Sequence, residues 1–316
     1  MGNTIQIVRY SPQKESEWNE FVGKSKNGTF LFDRRYMDYH ADRFADHSLM
    51  FYRDHELYAV LPANQEGRTF LTHQGLTYGG MVMGESATVS GISQCFTDLN
   101  NYLIDNTIQT VVYKAVPWIY HRQPSEEDLY ALVNVAHAQL SVRHVSSAIY
   151  LPNPIHWRRD HRYGAHKSQA NGVAVSRSDD FEGFWKVLSD NLQLKYGAKP
   201  VHTLDEMRLL HTRFPNHIRL YTASLEGTVI GGTVVYLCGP TAHAQYISAS
   251  LEGKKRHAID AIFDLVLNHE LADYRFFDFG KSSDGNGEQL NTTLISQKEG
   301  YGARAVCYDW YQWKLQ

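Results

Sequence analysis

Ala242-His243-Ala244-Gln245-Tyr246-Ile247-Ser248-Ala249-Ser250-Leu251-Glu252-Gly253-Lys254-Lys255-Arg256-His257-Ala258-Ile259-Asp260 reads as a strand that ends in a glycine-containing, triply basic turn and enters a helix directly. Upstream, apolar stretches at 218–223 and 228–237 flank the turn pair Glu226-Gly227, and 241–249 returns after Cys238-Gly239-Pro240. This spacing predicts a three-strand antiparallel meander. Downstream, 258–271 has helical period: Ile259, Ile262, Phe263 and Val266 turn inward, while Asp260, Asp264 and Asn268 line up on the polar side. An apolar strand, 276–280, follows. A helix running from a meander into the next strand requires a mixed sheet with a right-handed crossover.

Working outward, the same order of elements recurs. Before the meander, Asp180 caps a helix with apolar face Phe181, Phe184, Trp185 and Leu188, and Thr203-Leu204-Asp205-Glu206 is a capping box ahead of Met207, Leu210 and Phe214. After 276–280 come a helix over 288–298 and two end strands, 303–308 and 309–315. The first half offers a strand at 4–10, helices at 15–22 and 35–44, and strands 48–53, 55–62 and 68–73 as its own meander. Ile92, Cys95, Phe96, Leu99 and Leu103 form a helical stripe, 110–116 is a strand, and Ser125-Glu126-Glu127-Asp128 has the capping-box pattern before Leu129, Leu132, Val133 and Ala136. Strand 141–151 closes this half before Pro152 and Pro154. The repetition predicts an internal duplication with a period of roughly 150 residues. It divides the chain into 1–155, a connector 156–172, and 173–316.

The 316 residues carry 31 Lys+Arg against 34 Asp+Glu, a formal charge of -3, which excludes a surface built throughout to neutralise nucleic-acid phosphates, so no DNA partner is expected. Three cysteines, Cys95, Cys238 and Cys307, lack any paired spacing, so neither a disulfide framework nor a metal site is encoded and a reducing, cytoplasmic setting is expected. No run of apolar residues is long enough for a transmembrane segment, and the start of the chain lacks the pattern of an export signal.

Several segments bear chemistry. The turn 250–257 suits an anion, since backbone N–H groups and the positive end of a helix converge there; a solvated turn with ordinary surface lysines has the same pattern. On the strand before it, alternation puts His243 with Gln245 on one face and Ala244 with Tyr246 on the other. His243 reads as a satisfied structural histidine or as a proton acceptor. The basic, aromatic stretch 156–167 reads as a holder for a phosphate-bearing or RNA acceptor, or as a solvent-facing connector.

A strand ending in Asp278-Phe279-Gly280-Lys281-Ser282, a helix carrying Leu290-Asn291, and the exit Lys298-Glu299-Gly300-Tyr301-Gly302 resemble the C-terminal half of the tandem GNAT-fold acyltransferases. This is the bacterial FemAB-like, or BioF2-like, acetyltransferase group, which includes the aminoacyl transferases that build peptidoglycan cross-bridges. The likeness is most specific over 200–316 and looser over 5–150. It implies an α+β fold of two tandem GNAT-like domains, each a mixed, mostly antiparallel sheet flanked by helices. The expected function is transfer of an acyl or aminoacyl group from an activated carrier to an amine by direct attack in an interdomain cleft. Acyl-CoA is the expected cosubstrate, without a metal. By the resemblance, Ser250, Gly253, Lys254, Lys255, Arg256 and His257 would hold its pyrophosphate, although Lys254-Lys255-Arg256-His257 displaces the second small residue of the usual pattern.

Lys298 matches the active-site lysine of the Fem enzymes and would stabilise an oxyanion. Water or His243 would take the amine proton, and Tyr246 or Tyr301 would protonate the leaving group. Gln245, Asp278, Ser282 and Asn291 complete the expected substrate contacts, and Arg34, Arg35 and Tyr36 are candidate acceptor contacts from the first half. The acceptor would be a small-molecule amine or a cell-wall precursor. A tRNA carrier is less favoured, because the chain is mildly acidic and has no long heptad arm. The rival is a non-catalytic protein of the same fold that recognises a nucleotide-linked or peptidoglycan-type ligand, favoured by the displaced small residue.

Overall fold

The computed structural model describes residues 5–315. In chain order it contains β1 (Ile5–Arg9), α1 (Glu15–Lys24), α2 (Arg34–Met37), β2 (Leu49–Arg53), β3 (Glu56–Leu61), β4 (Asn64–Glu66), β5 (Thr69–Leu71), β6 (Val82–Met83), α3 (Val89–Asp105), β7 (Thr110–Lys114), α4 (Glu127–Asn134) and β8 (Gln139–Tyr150). There follow α5 (Arg159–Ala170), β9 (Ala174–Ser178), α6 (Phe181–Tyr196), α7 (Leu204–Arg213), β10 (Ile218–Leu225), β11 (Thr228–Cys238), β12 (Thr241–Ala249), α8 (Leu251–Lys255) and α9 (Ala258–Leu265), which runs on into a π-helical turn, Val266–Glu270. The last elements are β13 (Phe276–Lys281), the short β14 (Ser283–Asp284) and β15 (Gln289–Leu290), α10 (Thr292–Gly300) and β16 (Arg304–Lys314). Internal contacts divide the chain into two compact units, one reaching to Val145 and including Asp284–Gln289 and the segment from Cys307, the other Ser146–Ser283 with Leu290–Val306. No helix among the described residues is long and apolar enough to cross a membrane.

In the first unit, β1, β2, β3 and β6 form one antiparallel sheet, with Asp54 and His55 at φ 52° and 70° in the tight turn between β2 and β3. The third meander strand expected at 68–73 belongs elsewhere. Val82–Met83 takes its place beside β3, while β5 pairs with β4 and runs parallel to β7. Phe70 is thereby fully buried among Phe51, Phe96, Leu99 and Trp313, a core that a surface hairpin would not supply. The capping box expected at Ser125 does not form: its hydroxyl donates to the Gln123 carbonyl, and Val133 is exposed. The two end strands expected after 303 are one continuous strand, β16.

The second unit contains the antiparallel meander β10-β11-β12, flanked by β9 on β10 and, after the α9 crossover, by β13 parallel to β12. Asp180 caps α6 and Thr203 with Glu206 closes the reciprocal box on α7, as the spacing predicts. Two adjacent glycines of β11 fix the layers. A Cβ on Gly231 would meet Ala258 of α9, and one on Gly232 would meet Phe184 of α6, so the two helices lie on opposite faces of the sheet. The stretch 156–172, expected as a connector, contains α5, which packs against α9 and buries His161, Gly164, Ala165 and Ser168.

Candidate active site

β12 and β13 pair over only three positions, Thr241↔Phe276, Ala242↔Phe277 and His243↔Asp278. On its other edge β12 carries a bulge: Val234 faces Tyr246 and Val235 faces Ala244, leaving Gln245 as the extra residue. This breaks the alternation that would have put His243 and Gln245 on one face. Where the strands part, Asp278 is wholly buried; its Oδ2 is 3.1 Å from His243 Nδ1, and its Oδ1 accepts from Gly280 N at 3.0 Å and from the Ser146 hydroxyl. Gly280 sits at φ +76°, and a Cβ there would lie 3.3 Å from the His243 ring.

Lys298, buried on α10, donates to Gly280 O at 2.7 Å, Lys281 O at 2.9 Å and Ser282 Oγ at 2.8 Å. All three ammonium hydrogens are thus engaged, and an oxyanion would have to displace one of these acceptors. Burial pulls the Lys298 pKa from 10.5 to about 8, against an opposing pull from Asp278. Between those values the unfolded chain holds a proton that the folded chain has released, so this group makes stability rise as pH increases from about 8 to 10.5. Comparing urea unfolding of the wild type and Lys298→Met across that window should show the wild type gaining roughly 2 kcal/mol relative to the variant. A difference independent of pH would mean that Lys298 is not desolvated.

Beyond the parting lies a cavity of about 480 Å³, walled by Ile247, Ser248 and Ala249 of β12, Phe279 of β13, the start of α9, and faces of α6 and α10. Ser248 is buried, and its hydroxyl has no hydrogen-bond partner among the described residues. A second carboxylate borders the cavity. Asp260, expected on the polar side of its helix, is only 8% exposed because α5 covers it. Its Oδ1 accepts from the Tyr301 hydroxyl and from His161 Nδ1 at 2.7 Å, and its Oδ2 lies 3.2 Å from His257 Nδ1. Burial and the adjacent carboxylate raise the Tyr301 pKa well above the ordinary phenol range.

Of the residues singled out from the sequence, Lys298, Tyr301, Gly253, Lys254 and His257 line this cavity, while His243 and Tyr246 are not part of its wall. The Tyr246 hydroxyl is bound to His202, 2.6 Å from Nδ1 and 3.1 Å from the backbone N–H, and burial raises its pKa to about 12. Ser250 caps α8 by accepting from Gly253 N, Lys254 donates to Asn191, Arg256 pairs with Glu252, and Lys255 is exposed. Ser282 accepts from Lys298, and Asn291 caps α10 through Leu294 N. In the first unit, Arg34 is buried on Asp38, Asp46 and Ser48, Arg35 pairs with Asp33, and Tyr36 is buried, which gives that trio structural work. The sequence did not point to His161, Ser248 or Phe279. No local signal joins His161 to Asp260 across the intervening chain, and Ser248 and Phe279 are ordinary strand residues until the strands part.

Residues 156–288 match the acetyltransferase (GNAT) domain family. No curated protein matches the sequence. Among solved structures the chain is similar to FemX, at TM-score 0.68 and 11% identity over 96% of each chain. It is also similar to L-PGS from Bacillus licheniformis, at TM-score 0.60 and 12% identity over 95% of this chain and 91% of that one. A tandem GNAT protein from the clavulanic acid biosynthesis pathway superposes at TM-score 0.51 and 10% identity over 99% of each chain. The chain therefore has the GNAT fold, and its match to the acetyltransferase (GNAT) domain family lies in residues 156–288.

Proposed function

We propose that the chain transfers an acyl group from an acyl-coenzyme A thioester to the nitrogen of an amine at the cavity beside β12. The observation that carries this reading is the early parting of β12 from β13, which leaves the edge of β12 at Ile247–Ser248–Ala249 facing a cavity instead of a neighbouring strand. An exposed strand edge offers N–H and C=O groups in a row, and an extended chain with two amides, as in a pantetheine arm, satisfies them as a further strand would. The buried, unpartnered Ser248 hydroxyl gives such a ligand one more polar contact. Phe263, Phe279 and Tyr301 supply an apolar wall that would exclude water from a thioester. Lys254 lines the same cavity and Lys255 is exposed on the same short helix, so both are available to the phosphates of the donor.

Lys298 serves this reaction by holding the end of β13 in place through the Gly280 and Lys281 carbonyls, and Asp278 does so through His243, Ser146 and the Gly280 N–H. The amine acceptor is a small molecule or a cell-wall precursor.

Acetyl-coenzyme A and free coenzyme A should raise the melting temperature by several degrees, corresponding to about 2.7 kcal/mol at one hundred times the dissociation constant. UDP-sugars should not. Stabilisation without amide formation from any amine would instead favour a binding protein of the same fold. No stabilisation at millimolar coenzyme A would sink the donor assignment.

A further inference from the structure

We propose that a second cavity of the second unit binds a free amino acid with an apolar side chain. Its volume is about 430 Å³, within the range of small-molecule sites. The end of β8, α5, the last turn of α9 and the irregular stretch 154–157 wall it, and it shares no lining residue with the cavity beside β12, so it rests on no part of the reading given above.

The basic stretch 156–167 supplies the first half of the argument, because its charges do not form one surface. Arg158 is taken up by Asp160 at 3.5 Å and Ser296 Oγ at 3.2 Å, and Lys167 lies over the Tyr163 ring. Arg162 lines the cavity instead, and its guanidinium has no hydrogen bond or ion pair among the described residues.

The second half comes from α9. Asp264 lines the same cavity; its Oδ1 accepts from Asn268 Nδ2 at 2.8 Å, and its other oxygen has no partner among the described residues. Two opposite charges thus border one cavity without pairing, each with capacity left for a ligand. A plain anion would meet Asp264 and a plain cation would meet Arg162, so the lining favours a ligand that carries both charges. Between them the wall is apolar, with Ile149 and Leu267 buried and the Trp157 ring half-buried. An α-amino acid joins all three features: a carboxylate for the guanidinium fork, an ammonium for Asp264, and an apolar side chain against Trp157 and Leu267.

The wall is fixed by the fold itself. The stretch 154–157 has no regular structure, yet Arg158 N donates to Gly300 O at 2.8 Å, and the Trp157 ring meets Tyr301 edge-on with centroids 5.0 Å apart. Gly302 has φ +89°, and a Cβ there would fall 2.2 Å from the Ile155 carbonyl oxygen, so a side chain is left out where this stretch is seated. On the other wall α9 loosens into the π-helical turn that carries Leu267 and Asn268, a distortion frequent at functional sites.

L-Phenylalanine is the probe, titrated calorimetrically into the whole chain beside 3-phenylpropionate, which lacks the ammonium, and phenethylamine, which lacks the carboxylate. It should bind at least about tenfold tighter than either analogue, since each loses one charged contact. This comparison needs only the wild type. Arg162→Gln should weaken L-phenylalanine about tenfold without weakening phenethylamine, and Asp264→Asn should weaken it about as much without weakening 3-phenylpropionate. Melting temperatures of the unliganded variants check that the fold is kept. Absence of binding by L-phenylalanine at millimolar concentration overturns the proposal. So does binding of either analogue as tight as that of L-phenylalanine, or an affinity for L-phenylalanine unchanged in both variants.

Discussion

Asp278→Ala should cost the second unit about 3–5 kcal/mol, a large part of the 5–15 kcal/mol that ordinarily holds a domain folded. The carboxylate is wholly buried and accepts from the Ser146 hydroxyl, His243 Nδ1 and the Gly280 N–H. Alanine takes this acceptor away from the Ser146 hydroxyl and the Gly280 N–H in a place water does not reach, and each stranded donor costs about 1–3 kcal/mol. The damage also spreads along the chain. Gly280 is held at φ +76° by this contact, and its carbonyl is one of the three acceptors of Lys298. Asp278→Asn keeps one acceptor oxygen and should lose less, about 1–3 kcal/mol. Urea unfolding of both variants, with a Ser146→Ala cycle to expose the coupling, measures this directly. A midpoint for Asp278→Ala indistinguishable from wild type would show that the carboxylate does not bind the parted strands together.

How far the fold was legible depends on whether each signal was local. Glu226-Gly227 adopts φ 50° and 80°, the left-handed pair a tight hairpin needs, and the strands on either side lie where that turn places them. Thr203 and Glu206 satisfy each other's backbone N–H groups within one turn, so α7 begins where four letters say it does. The helical stripe from Ile92 to Leu103 is buried as read, because a stripe of that width can face only the core. The misreadings share one physical origin, partners distant in the chain. Thr69–Leu71 has the composition of a meander strand, and only the crossover through α3 gives it β7 as a partner. Asp260 falls in line with Asp264 and Asn268 on a helical wheel, but α5 lies over the first turn of α9 and brings His161 to it. The bulge at Gln245 is set by the pairing of β11 with β12, and no residue type at that point announces it. Of the site, the basic turn and Lys298 were visible and the carboxylate network was not.

Gly253 separates two accounts of that basic turn. If the glycine served only to let a phosphate approach the backbone, a larger residue would weaken coenzyme A binding and leave the fold intact. In the structure its hydrogen faces the protein instead. A Cβ there would fall 2.1 Å from the Ile230 carbonyl oxygen, 3.0 Å from its carbon and 3.2 Å from Ala249 Cβ. The same oxygen accepts from Ser250 N at 2.9 Å and Ser250 Oγ at 3.1 Å, so it pins the start of α8 to β11 and cannot retreat without breaking both contacts. Gly253→Val should therefore destabilise by about 3 kcal/mol through overpacking. The relief open to it is movement of α8 away from the sheet, which carries Lys254 and His257 out of the cavity wall. Acetyl-coenzyme A affinity should fall at least about tenfold, the equivalent of 1.4 kcal/mol. Gly23→Ala is the control, since a Cβ there would meet nothing within 4 Å and α8 stays in place. Thermal unfolding and calorimetric titration on both variants decide between the accounts. Loss of affinity at unchanged melting temperature would return Gly253 to a phosphate-contact role, and loss of both makes it the residue that seats α8 against β11.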